Sequence, residues 1–149
     1  PGALIAIGEA QDRELGLELA ETCLLMLNTS TGLPACQLLL PVSGTPSTTS
    51  CTAFPLFSPV VGMVYVLRVH TGQLRWADVA WVLLSAVMRW SRVPGGGFAE
   101  VANVNEVPPR LVDSMNPLVF VTLKLLYWTL QDPPPAPASL TLSGFALHV

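Results

Sequence analysis

Between positions 61 and 70 the apolar residues alternate. Met63, Tyr65, Leu67 and Val69 fall to one side of an extended chain, and Val64, Val66, Arg68 and His70 to the other. A period of two in β-branched and aromatic residues predicts a strand with one face more buried than the other. Thr71-Gly72 breaks the pattern, and from 74 to 90 the period becomes that of a helix. Trp76, Val79, Ala80, Leu83, Val87 and Trp90 make one apolar stripe, with Arg75, Asp78, Ser85, Arg89 and Arg92 opposite and Val82 interrupting them. Asp78 near the start and Arg89 and Arg92 near the end suit the helix macrodipole. Val93-Pro94-Gly95-Gly96-Gly97 stops the helix, and 98–107 reads as a second strand.

The rest of the chain can be placed around this unit. Residues 3–7 are a short apolar run closed by Gly8, read as a buried strand. Asp12 then caps a helix whose dry stripe is Leu15, Leu19, Cys23 and Met26 and whose wet stripe is Glu14, Glu18 and Glu21, ending over 28–32. Residues 36–42 read as a strand and 43–58 as a long loop anchored by Phe54 and Phe57. After Pro108-Pro109, residues 111–116 form a helical turn. Residues 118–130 are read as a strand on their β-branched and aromatic content, a helix being the alternative. Asp132-Pro133-Pro134-Pro135 halts regular structure, and 140–149 is an edge strand or a tail. The order predicts an α+β fold: a mostly antiparallel sheet of four to six strands with two amphipathic helices packed on one face, ferredoxin-like or related. Residues 1–132 are expected to form a single domain, followed by a Pro-rich connection and tail over 133–149.

Composition narrows the classes. The 149 residues are 51% hydrophobic and 11% charged, well under the ~25% charged residues of an average soluble domain. No charged residue occurs between Thr22 and Leu67, yet prolines and polar residues cut that run into pieces too short to span a bilayer. The net charge of −3 and four dispersed central arginines argue against nucleic acid. Three cysteines match no zinc spacing, and an odd number leaves at least one unpaired within the chain. One disulfide, with Cys36 and Cys51 as the pair, and three buried thiols both satisfy the pattern. Asn28-Thr29-Ser30 is a glycosylation sequon, which with the Pro/Ser/Thr-rich loop favours a secreted or extracytoplasmic protein.

Candidate chemistry is sparse. His70, at a predicted strand end, is placed for acid-base work, with Glu100 or Asp113 as a carboxylate partner. Glu100 and Glu106 on one strand would lie about 20 Å apart, beyond the reach of a glycosidase pair. The glycine run leads into a predicted strand and not a helix N-terminus, so it is no phosphate cradle. Trp81, at the edge of the helical stripe, and its neighbour Val82 mark an interface, with Arg75 and Arg89 on the same helix. No cofactor or metal is implied.

The run Val64 to Gly72, followed by Leu74-Arg75-Trp76-Ala77-Asp78-Val79 and a helix rich in alanine and leucine, resembles the strand-helix core of small secreted fungal proteins of unknown function. That resemblance implies a secreted α+β domain without an assigned activity, and it carries over no site residues. The expected function is a non-enzymatic binding or interaction module with a protein partner or self-association. The alternatives are a small hydrolase-like enzyme using His70 with a carboxylate, and a subunit of a larger assembly.

Overall fold

The computed structural model describes residues 1–7, 9–39, 48–112 and 116–135. It is a helical array and not a sheet. Its elements are α1 (Gly2–Ile7), α2 (Ala10–Leu24) with a 3₁₀ turn at Leu25–Leu27, β1 (Gln37–Leu39), β2 (Thr48–Cys51), α3 (Pro59–Thr71), α4 (Arg75–Trp90) and α5 (Val119–Leu130). Among the described residues the one sheet is the antiparallel pair β1-β2, with Gln37 opposite Cys51 and Leu38 opposite Thr49. The predicted α+β sheet with helices on one face is therefore corrected. Residues 3–7, 61–70 and 118–130, read as strands, are helices; of the predicted strand 36–42, Gln37–Leu39 is strand and 40–42 lie outside the described residues. The two predicted helices are present as α2 and α4. Residues 111–116 and the tail fall partly outside the described residues.

Residues 61–70 are helical because both ends are set by helix chemistry. The Ser58 hydroxyl accepts from the Val60 amide at 3.3 Å, Pro59 occupies the first turn, and Gly72 closes the helix at φ 66° with its N–H donating to the Arg68 carbonyl. Gly72 suits this cap because a left-handed φ costs it nothing. The false alternation comes from burial on several sides. Val60, Val61, Met63, Val64, Tyr65, Leu67 and Arg68 are all buried, since α3 packs against α1, α2, α4 and α5. A helix with so narrow a wet face shows little period of 3.6. In α5 the buried residues Val119, Thr122, Leu125, Leu126 and Thr129 do follow helical spacing.

The array has two ends. α4 runs back along α3: Phe54, just before α3, pairs with Val101 after α4 through N–H···O bonds of 2.8 and 3.0 Å. Arg68, in the last turn of α3, bonds Asp132 beyond α5 at 3.0 Å, so α5 finishes where α3 does. One core cluster fills the helical layer around Trp76, Tyr65, Leu67, Leu83 and Leu126. A second lies at the opposite end, where Leu33, Phe54, Leu56, Val101 and Val104 pack on Val87 of α4 and Val119 of α5. Connections gather at that second end. The predicted strand 98–107 is one of them, held by short bridges: Val93 and Gly97 close a turn through Gly96 and Gly97 at φ 102° and 83°, and Val112 N–H donates to the Glu100 carbonyl at 2.8 Å.

Candidate functional site

A groove of about 370 Å³ runs between the segment after α2 and the outer side of α4. Its floor begins at Thr31, which is fixed twice to Val104: its N–H donates to the Val104 carbonyl at 3.1 Å and its hydroxyl donates to the same oxygen at 2.8 Å. Across from it, helical spacing on α4 sets Trp81, Val82, Ser85, Arg89 and Trp90 along one wall. Trp81 is 60% exposed and Val82 55%. The Arg89 guanidinium lies over the Trp90 ring, 4.5 Å from its centroid, a cation–π contact that holds the fork in place.

Three of the four predicted binding residues, Trp81, Val82 and Arg89, thus meet in one groove. Arg75 does not join them. It lies at the far end of α4, about 21 Å along the axis from Arg89, stacked 4.1 Å over Trp76 and ion-paired with Glu21. Thr31, Ser85 and Trp90 are groove residues that periodicity did not reveal. Trp90 continues the dry stripe, and Thr31 comes from a segment whose place beside α4 depends on tertiary packing.

Of the predicted acid-base set, His70 and Glu100 are not brought together. His70 is exposed in the last turn of α3, whereas Glu100 sits at the connection-bearing end, separated by roughly the 20 Å length of that helix. Asp113 lies outside the described residues. Glu106 is exposed and accepts from the Asn103 side-chain amide at 2.9 Å in a local turn; it does not share a strand face with Glu100. Glu100 is half-buried, while the other described carboxylates are exposed. Among the described residues no three His, Cys, Asp or Glu side chains converge to hold a metal ion, and no helix is long and apolar enough to cross a membrane. Cys36 and Cys51 form a disulfide with Cα atoms 5.4 Å apart, and Cys23 is a half-buried free thiol. Asn28 is exposed at the end of the 3₁₀ turn.

No family model matches the chain. Over 77 residues, 50% of this chain and 11% of the relative, it is 34% identical to the endoplasmic reticulum mannosyl-oligosaccharide 1,2-alpha-mannosidase of Homo sapiens. Its backbone is similar to that of the alpha-1,2-mannosidase from Trichoderma reesei, with a TM-score of 0.77 and 19% identity over 87% of this chain and 32% of that one. The chain therefore spans about a third of the solved structure and a ninth of the curated relative. These findings overturn the resemblance to small secreted proteins of unknown function and the reading of a non-enzymatic interaction module. The similarity in sequence and the similarity in backbone both lead to α-1,2-mannosidases, and the fold is similar to part of the solved mannosidase's.

Proposed function

We propose that this chain is part of a glycoside hydrolase that removes α-1,2-linked mannose from oligosaccharides in the secretory pathway. The observation that carries this reading is the agreement of two comparisons, one by sequence and one by backbone, on enzymes of a single specificity. In this reading the chain supplies helical frame. Glycosidic cleavage needs two carboxyl groups about 5 to 10 Å apart, and of the described carboxylates only Glu100 is even half-buried. A secretory location also fits the Cys36–Cys51 disulfide. The test is incubation of the full-length natural protein with α-1,2-mannobiose and with a mannose-rich oligosaccharide. Free mannose is expected from both. Both substrates left intact, under conditions in which an authentic α-1,2-mannosidase digests them, would overturn the reading.

A further inference from the structure

We propose that Asn28 is an N-glycosylation acceptor, and that the turn it heads, residues 28–33, therefore lies on the outside of the whole protein. The compartment in which the modification occurs rests on the secretory reading above; the acceptor rests on the turn. Asn28-Thr29-Ser30 has the acceptor pattern, with an amide at the first position, no proline at the second and a hydroxyl at the third. The structure adds what a sequence match lacks. Asn28 ends the 3₁₀ turn with φ −75° and ψ 64°, and the Thr29 N–H donates to the Leu27 carbonyl at 2.8 Å, so Asn28 is the central residue of an inverse γ-turn. Burial then alternates along the sequon: Asn28 is exposed, Thr29 half-buried, Ser30 exposed and Thr31 buried. The two residues that the modification uses are thus the two that face water.

The inward residues hold the turn without them. Thr29 Oγ1 donates to the Leu33 carbonyl at 2.8 Å, the Thr31 hydroxyl and N–H both donate to the Val104 carbonyl, and the Gly32 N–H donates to the Thr29 carbonyl at 3.2 Å. Among the described residues no hydrogen bond uses the side chain of Asn28 or of Ser30. A glycan on Asn28 therefore breaks no contact that fixes the turn, and so bulky and hydrophilic a group extends into solvent. The Cys36–Cys51 disulfide is an independent mark of the compartment, because such bonds persist in the oxidising lumen through which glycoproteins pass. The co-reactant is an oligosaccharide linked to a lipid diphosphate. Asn28 Nδ2 forms a bond to its anomeric carbon, the bond from that carbon to the diphosphate oxygen breaks with its electron pair leaving on the lipid diphosphate, and the Nδ2 proton passes to a base of the transferase. The Ser30 hydroxyl is a recognition contact and is not consumed. A face that carries a glycan cannot be packed under other polypeptide, so further parts of a longer chain would lie against other faces of the array.

The test is expression of the full-length natural protein in a eukaryotic secretory host, release of N-glycans by a peptide N-glycosidase in H₂¹⁸O, and mass spectrometry of the peptides that span position 28. Release converts a glycosylated asparagine to aspartate carrying ¹⁸O, and this label is expected at position 28. Asn28→Gln and Ser30→Ala are each expected to remove one glycosidase-sensitive step in gel mobility, and Ser30→Thr to keep it. These side chains are on the surface, and an unchanged far-UV spectrum verifies the fold. Intact Asn28 in protein shielded from protease inside microsomes overturns the inference and leaves the compartment standing; intact Asn28 in protein outside microsomes overturns both. A label that appears without the glycosidase, or that survives Ser30→Ala, is deamidation and overturns the inference equally. Mannose released by a protein with bare Asn28 would sink this inference alone, whereas a glycan on Asn28 of a protein that leaves α-1,2-mannobiose intact would leave it standing and sink the glycosidase reading.

Discussion

Leu56 is fully buried with φ 59°, a left-handed backbone that a leucine adopts only when its surroundings compel it. Part of that compulsion is visible: its carbonyl accepts the hydroxyl of buried Thr122, in α5, at 2.8 Å. Replacing Thr122 by Val keeps the shape and strands the carbonyl, so we expect a loss of about 1 to 3 kcal/mol in urea unfolding. A loss below a few tenths would mean that water reaches the carbonyl. Tyr65 gives a second test. Burial raises its phenol above the ordinary value of 10.0, and its hydroxyl donates to the Pro135 carbonyl at 2.7 Å. As pH rises past 10 the unfolded chain loses this proton first and the native chain retains it. The contribution of this group to stability is thus constant below pH 10 and falls above it, toward the native value. Tyr65→Phe should flatten that alkaline limb, measured by denaturant midpoints across pH. Neither contact was legible in the sequence, because Thr122 and Tyr65 were both assigned to strand faces, and their partners lie 66 and 70 residues away.

At the scale of elements, the sequence revealed α2 and α4 because each has a wet side. Glu14, Glu18 and Glu21 on one, and Arg75, Asp78 and Arg89 on the other, remain exposed, so polarity varies with the helical period. α3 is nearly enclosed and hid its period, although Ser58-Pro59 and Thr71-Gly72 at its ends are helix start and stop signals. α5 was lost to the preference of β-branched residues for strands, which packing overrides. The Cys36–Cys51 disulfide spans a 15-residue separation across the β1-β2 pair. Loop-closure entropy puts its contribution at about 3 kcal/mol. Reducing agent should therefore lower the melting temperature of the wild type and leave a Cys36→Ala, Cys51→Ala variant unaffected. Equal melting with and without reductant would show that the hairpin does not take part in global unfolding.

Across the whole molecule, α2 and α5 both carry apolar side chains in water. Leu15 and Leu19 are 48% and 40% exposed on α2, and Phe120 and Tyr127, seven residues apart on α5, are 71% and 62% exposed. About two thirds of the solved mannosidase has no counterpart here. Since these side chains are already solvated, Phe120→Ser and Tyr127→Ser should change the stability of this chain by no more than about 0.5 kcal/mol, read by chemical denaturation. A larger loss would place them in a contact within the chain. The groove on α4 was half legible: Trp81, Val82 and Arg89 belong to one helix, but its opposite wall, Thr31, is some fifty residues earlier and was brought there by the fold.

The four tryptophans are distributed unevenly: Trp76, Trp81 and Trp90 stand on α4 and Trp128 on α5, while α1, α2 and the hairpin carry none. Intrinsic fluorescence is thus a reporter of α4 and its immediate contacts, and α1 and α2 reach it chiefly through Trp76, which shares a core cluster with Ile5 and Ala20. Circular dichroism sees those helices fully, since α2 alone contributes 15 helical residues. Coincident unfolding curves from the two signals would show that the helices melt as one unit. A circular-dichroism transition that precedes the fluorescence transition would reveal the N-terminal pair as a separate cooperative segment.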